Sequence, residues 1–310
     1  MKLNLKMTMT AVAAQSQEPV KITVAGKITD PAFHKCVTAV KYLQEQHPET
    51  VSSECLAFFE TQWEEYIKRT ANKLKGVFYH HAGNHLILLN DEEYVGNSEQ
   101  FATYILHRFA YMDNSMNVVY ERLAANQFKK MINTSKTRKY AKLDITFNNM
   151  TNTVYFELFN DIAPRTVANF LGLCNGHTRS DGETLGYVGT EVHRVVNGMF
   201  LQMGRITPSK APELGCSVYG GAFEDESFHI KHTEIGLLGM CKRNGSGHSN
   251  ESQFYVTMGA PLTFLDNKNV IFGRVIQGMR CLKLIEKLDT LNEKPAESVK
   301  IVGAGPYSVQ

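Results

Sequence analysis

Apolar residues first fall into step at VKITVAG (20–26), where Val20, Ile22 and Val24 alternate with Lys21 and Thr23 before a glycine. That period of two predicts a strand. Asp30 then offers a side-chain oxygen for a helix cap, Pro31 suits the first helical position, and Phe33, Val37, Val40 and Leu43 recur at helical spacing until Pro48. A second helix is expected over about 54–74, carrying Trp63. LILLND (86–91) reads as a buried strand, Gly96 marks a turn, and Asn97 or Ser98 caps a helix with Phe101, Ile105 and Phe109 on one face. One more amphipathic helix fits 113–128. From Tyr140 the rhythm shortens. LDITF (143–147) and TVYFELF (153–159) alternate as paired strands, and Pro164 opens a helix with the stripe Val167, Phe170, Leu171 and Cys174, ending near Gly176. Met279, Leu282, Ile285 and Leu288 make a second stripe. Many short strands with a helix toward each end predict an antiparallel β-barrel capped by two helices.

A length of 310 residues is about twice the common domain size, so two domains are expected. The change of texture places them at 19–126 and 140–310. The segment between, 127–139, reads as a basic linker: QFKKMINTSKTRKYAK (127–142) holds six basic residues and no acidic one. Apolar content of 43% and charged content of 21% suit a globular chain. No window approaches the roughly 20 apolar residues of a bilayer span, so no membrane is expected. A net charge of +2 gives no reason to expect nucleic acid as a partner. The start, MKLNLKMTMTAVAAQSQ, lacks the apolar core of a signal peptide. The six cysteines form no C-x-x-C pair and read as reduced thiols in a cytoplasmic protein, where the N-x-S/T matches at Asn133, Asn149, Asn244 and Asn250 carry no meaning. His80, His81 and His85 in HHAGNH have no carboxylate or thiol set at ligand spacing, so they read as a polar turn and not as a metal site.

The order strand, helix, helix, strand, turn, helix over roughly 19–112 resembles a glutaredoxin or thioredoxin-like domain. Its best piece is GKITDPAFHK (26–35), similar to a glutaredoxin active-site turn without its cysteines, with Asp30 at the nucleophile's position and Phe33 at its partner's. A thiol at a helix N-terminus has a lowered pKa and attacks disulfides, whereas an aspartate there only caps the helix. Thiol oxidoreductase activity would require Cys36, a turn further along, to be exposed and acidic.

Five segments in order, VYFELFNDIAPRTVANFLGLC, EVHRVVNGMFLQMG, YGGAFEDESF, ESQFYVTMG and FLDNKNVIFGRVIQGM, are similar to the cyclophilin family over about 140–310. The resemblance implies a groove for a proline-containing peptide or protein segment, no cofactor, and the chemistry of prolyl isomerisation. An X–Pro bond resists rotation by about 18–20 kcal/mol through amide resonance, and exchanges in tens of seconds or more. Catalysis needs no nucleophile. It needs an apolar socket for the ring, a grip on the flanking backbone, and a guanidinium that donates to the proline nitrogen as twisting returns its lone pair. By resemblance Arg194 is that catalytic arginine, Gln202 and Gln253 are the backbone-gripping glutamines, and Leu265 lies on the rim. Asp225 and Glu226 match a barrel-edge motif with a structural role.

The socket departs from the family pattern. Met199 and Phe200 stand in reversed order, Tyr255 replaces a phenylalanine and needs a partner for its hydroxyl, and Asn269 replaces the closing histidine. Phe264 replaces the rim tryptophan, while Cys241 and Lys242 replace an alanine and an asparagine. The loops 207–217 and 241–252 also differ, and one residue is added before Phe264. Two lost socket contacts at ~1–2 kcal/mol each would slow catalysis roughly 10–1000-fold. The missing indole N–H would weaken cyclosporin, which the family binds in this groove. The expectation is a catalytically inactive or very weak isomerase acting as a proline-peptide-binding or scaffold module in a protein complex. The alternative is a slow isomerase of narrow specificity. Cyclophilins occur in radial spokes, so a ciliary axoneme is compatible with the resemblance.

Overall fold

The computed structural model describes residues 18–74, 81–210, 215–242 and 246–308. The opening segment, His80, Asn244 and parts of the loops 207–217 and 241–252 lie outside the described residues. Backbone proximity divides the chain into two units. One comprises the residues up to Gly26, Asp30–Ala57 and Leu74–Glu121; the other comprises Lys27–Thr29, Phe58–Lys73 and everything from Arg122.

In the first unit, β1 (Val20–Lys27) leads into α1 (Pro31–Gln46) and β2 (Val51–Phe58). Helix α2 (Glu60–Leu74) follows and groups with the second unit. The chain then gives β3 (His85–Leu89), β4 (Glu93–Gly96) and α3 (Ser98–Phe109), with sheet order β2-β1-β3-β4. Asp30 caps α1 by accepting the Ala32 N–H at 3.2 Å, and Asn97 and Gln100 form a reciprocal capping box on α3. The helical stripe packs as expected: Phe33, Val40 and Leu43 are buried with Ile22, Val24 and Ile87. The helix expected over 54–74 is corrected, since its first residues belong to β2. That strand lies at the edge of the sheet and exposes Ser52, Glu54 and Ala57, so its alternation is too sparse in apolar residues to stand out.

Helix α4 (Asn117–Thr134) runs into the second unit. It buries Tyr120, Ala124, Phe128 and Ile132 at four-residue spacing, so 127–134, within the segment expected as a linker, are helical turns with a buried face. The basic residues on its other faces mask that stripe in the sequence.

Beyond it come β5 (Lys139–Phe147), β6 (Met150–Leu158), α5 (Pro164–Asn175), the short ribbon β7 (His177–Thr178) and β8 (Thr184–Leu185), β9 (Arg194–Val196) and β10 (Phe200–Met203). Then follow β11 (Leu237–Lys242), β12 (Asn250–Thr257), β13 (Ile271–Gln277), α6 (Met279–Glu286), the ribbon β14 (Thr290–Leu291) and β15 (Lys294–Pro295), and β16 (Lys300–Pro306). Eight strands make one antiparallel sheet in the order β16-β5-β6-β13-β11-β12-β10-β9. The sheet curls until its two ends meet: the Val192 N–H donates to the Val299 carbonyl and the Ile301 N–H to that of Thr190, both at 2.9 Å. Phe170 of α5 sits inside, its ring centroid 5.1–6.2 Å from those of Phe156, Tyr187, Phe254 and Phe272.

Helix α2 is built into this unit. Thr61 Oγ1 donates to the Val275 carbonyl at 2.8 Å, and the Glu60 carboxylate accepts the N–H groups of Gly278 and Met279 at 2.7 and 3.1 Å, capping α6. Lys283 pairs with Glu64. Trp63, placed by the sequence reading in the first domain, is buried here. Among the described residues no helix is long and apolar enough to cross a membrane.

Candidate functional site

Alternation along four strands builds one face of the curled sheet into a site. Leu201, Met203, Phe254 and Val256 point into the core, which sends Phe200, Gln202, Gln253 and Tyr255 to the opposite side. Register then aligns them: Arg194 lies opposite Gln202, Gln202 opposite Tyr255, and Tyr255 opposite Gly239. The Tyr255 ring lies across Gly239, where an added Cβ would come within 2.2 Å of it. Above this row opens a cleft of about 540 Å³. Arg194, Phe200, Gln202 and Tyr255 line it, together with Cys241, Lys242, Leu265 and Asn269 from the neighbouring segments. Met199, Gln253 and Phe264 do not. The Met199 carbonyl accepts the N–H groups of Met258 and Gly259, Gln253 accepts the Gln202 amide at 3.0 Å, and Phe264 is 48% exposed on a short helical turn.

The phenol, ammonium and amide that depart from the family pattern each have an internal partner. The Tyr255 hydroxyl meets His232 Nε2 at 2.7 Å, and His232 Nδ1 meets Asp266 Oδ1 at 2.7 Å. Burial pushes His232 below its ordinary pKa, and the Asp266 carboxylate acts the other way without overcoming it. Asp266 lies below the usual carboxylate range, chiefly because the His232 backbone N–H donates to it; burial pushes the Tyr255 phenol well up. The chain of hydrogen bonds therefore runs Tyr255 O–H to Nε2 and Nδ1–H to carboxylate, with a neutral ring. The sequence reading missed His232 and Asp266; the added hydroxyl of Tyr255 was the signal that a buried acceptor had to exist.

Lys242 is 7% exposed and pairs with Asp225, 4% exposed, while also donating to Asn250 Oδ1 at 3.2 Å. Burial pushes the Lys242 ammonium down to about 8, and the Asp225 carboxylate in contact favours its charged form. Asp225 further accepts the Asn250 amide and the His248 N–H, at 2.8 and 3.0 Å. Glu226 caps α5, accepting the N–H groups of Arg165 and Thr166 at 2.8 and 2.6 Å. Asn269 turns its amide to the Met240 carbonyl at 2.9 Å, and burial pushes the Cys241 thiol up.

Arg194 is half-exposed. Its Nε donates to Glu293 Oε2 at 2.5 Å, and its guanidinium lies 5.4 Å from the Phe200 ring centroid. Glu293 was not singled out from the sequence, because it is 99 residues away and its turn carries no family motif.

In the first unit, Asp30 and His85 form a second polar cluster. His85 Nδ1 meets Asp30 Oδ2 at 2.6 Å, while Nε2 accepts the Ser98 N–H at 2.9 Å, so both ring nitrogens are used. Cys36 is 2% exposed and burial raises its thiol to about 12, which removes the thiol oxidoreductase reading for that residue. All six cysteines are free. Among the described residues no group of three His, Cys, Asp or Glu side chains is arranged to hold a metal; His81 contacts the Tyr94 hydroxyl at 2.7 Å.

Comparison with known proteins identifies the family. The family model for cyclophilin type peptidyl-prolyl cis-trans isomerases matches residues 142–305. A Homo sapiens protein named "Probable inactive peptidyl-prolyl cis-trans isomerase-like 6" is 30% identical over 297 residues, covering 94% of this chain and 94% of its own. Its Mus musculus namesake is 30% identical over 293 residues, with 93% and 92% covered. Peptidyl-prolyl cis-trans isomerase 11 of Caenorhabditis elegans is 39% identical over 154 residues, 49% of this chain and 82% of that protein. With more than half its length matched by the family model and relatives aligned almost from end to end, this chain belongs to the cyclophilin family.

Proposed function

We propose that this chain is a cyclophilin-type module, catalytically inactive or very weak, that binds a proline-containing segment of a partner and serves as a scaffold in a protein complex. One observation carries the reading: the cleft remains open while the polar groups along it are matched from within, Lys242 by Asp225, Tyr255 by His232, and Arg194 by Glu293. A transition state gains only from groups free to interact with it. The word "inactive" in the names of the relatives points the same way. We further read the first unit as a degenerate thioredoxin or glutaredoxin-like domain, supported by a four-stranded sheet with α1 and α3 packed against it, although α2 groups with the second unit. The proposed setting is the cytoplasm, with a ciliary axoneme as the narrower candidate. Retention of Arg194, Gln202 and Gln253 supports the alternative, a slow isomerase of narrow specificity.

NMR exchange spectroscopy on an Ala-Ala-Pro-Phe peptide with the full-length protein tests the reading. A fragment 140–310 would lack α2 and α4, so it is the wrong object. Expected are peptide shifts that report binding, with exchange at catalytic protein concentration within about tenfold of the uncatalysed rate. Rapid exchange that disappears in Arg194→Ala would establish the enzyme reading instead.

A further inference from the structure

The hairpin between β14 and β15 turns through Asn292 and Glu293, whose φ angles are 51° and 64°. A two-residue turn with both φ positive favours glycine at its second position, because a side chain there crowds the backbone. This chain places a glutamate there, and the carboxylate reaches Arg194 Nε at 2.5 Å. The backbone repeats the attachment, with the Val195 N–H donating to the Glu293 carbonyl at 2.6 Å. An unfavourable backbone position occupied by a residue whose side chain engages a charged group is grounds for seeking a function in that contact.

We propose that Glu293 is an internal anion that holds and neutralises the Arg194 guanidinium, so that removing its carboxylate alone raises the isomerase rate of the groove. This rests on reading Arg194 as the family's isomerase arginine. That role requires N–H donors and uncompensated positive charge where the amide nitrogen recovers its lone pair. A carboxylate on Nε occupies one donor, fixes the plane of the group and cancels its field nearby. Phe200, on the neighbouring strand, adds a second restraint on the guanidinium. Both partners are close to half-exposed, so their pairing contributes little to folding and its loss is read in rate rather than stability.

The test uses the full-length protein, its Glu293→Gln and Glu293→Gly variants, and exchange spectroscopy on the Ala-Ala-Pro-Phe peptide. Glu293→Gln keeps the size and removes the charge; Glu293→Gly also relieves the turn. Both are expected to speed exchange by about threefold to fivefold, the most that a half-exposed ion pair can withhold from the guanidinium, with unfolding midpoints at or above that of the wild type. Adding Arg194→Ala to Glu293→Gly is expected to abolish the gain. Exchange within about twofold of the wild type in both variants, while the peptide still binds, overturns the role of Glu293 and leaves the binding reading standing. A gain that survives Arg194→Ala overturns it as well, since relief of the turn would then be the cause. If the wild type binds no peptide and neither variant gains exchange, both readings fall.

Discussion

The polar cluster at the head of α1 and the groove on the curled sheet differ in what their internal hydrogen bonds leave over. Asp30, His85 and Ser98 form a closed set. Both imidazole nitrogens are used, and an added Cβ on Gly26 would meet the Phe33 ring at 2.6 Å and His85 Cβ at 2.8 Å. The groove keeps about 540 Å³ open, although its ammonium, phenol and guanidinium are also paired internally. The first arrangement closes its polar groups on one another, whereas the second keeps an open cleft above paired groups. On the proposed function, binding and catalysis are separable in the groove, with single side chains from neighbouring loops restraining the chemistry while the strand register stays intact.

The largest effect expected from breaking this comparison is at Asp225. Replacing it with alanine leaves a buried ammonium unpaired, at a cost of ~3–5 kcal/mol. Trp63 fluorescence in urea reads it, since this tryptophan is the only one and is buried in the same unit. The double variant Asp225→Ala/Lys242→Met is expected to recover most of the loss. In the single variant nothing opposes burial, so the Lys242 pKa should lie well below the 10.5 of free lysine. The unfolded chain then binds the proton more tightly than the folded one, so stability rises as the pH climbs from the lowered folded pKa toward 10.5. A loss below ~1 kcal/mol, or none of this recovery at high pH, would show that the groove does not depend on internal pairing.

These groups also mark where the sequence was legible. The family resemblance singled out Gln202, Gln253 and Tyr255, which lie on one face of the sheet, and the helical stripes of α1, α5 and α6 packed as read. The partners were hidden for a physical reason: His232, Asp266 and Glu293 reach the site from loops, and only tertiary structure brings Glu293 to Arg194. Edge strand β2 and the buried face of α4 were obscured in another way, by polar and basic residues that local patterns count as solvent-facing.

The counterpart experiment in the first unit is Asp30→Ala. It removes the α1 cap and the partner of His85 together, so a loss of ~1–3 kcal/mol is expected. Asp30→Asn keeps a capping oxygen and should recover part of it. Amide hydrogen exchange at Ser98 is the readout, because its N–H is held by the ring that Asp30 orients. Unchanged protection at Ser98 would mean the cluster is not the closed unit inferred here.

A smaller effect is expected at Tyr255→Phe, which leaves His232 Nε2 buried without its donor at ~1–2 kcal/mol. The pH dependence sharpens this. In the wild type His232 stays neutral because its folded pKa lies below 6.5, so the unfolded chain takes up the proton first and stability falls as the pH drops below 6.5. Burial sets the lowered pKa, and a phenyl ring keeps the site as dry, so His232 should stay below its ordinary value in the variant. An NMR titration of the ring in the two proteins measures it; a return to the ordinary histidine value in Tyr255→Phe would show that the hydroxyl, and not burial, sets the protonation state.

The smallest expected effect tests the groove's shape apart from its charges. Phe264 is 48% exposed on the turn Thr263–Leu265, beside the cleft rather than in its lining. By resemblance this is where the family carries a tryptophan whose indole N–H donates to cyclosporin, and a phenyl ring has no such donor. Phe264→Trp supplies the donor without disturbing a packed neighbour, because the side chain already faces solvent. Restoring one hydrogen bond at ~1 kcal/mol should tighten cyclosporin about fivefold to tenfold. Calorimetry is the suitable readout, since the variant adds a second fluorophore to Trp63. Wild-type affinity is expected to be at least ~100-fold weaker than that of an intact site, because Asn269 and the reversed Met199-Phe200 pair also reduce packing. Sub-micromolar binding by the wild type would mean that the socket tolerates these replacements, and that internal pairing of charges, rather than loss of shape, is what separates this groove from an active one.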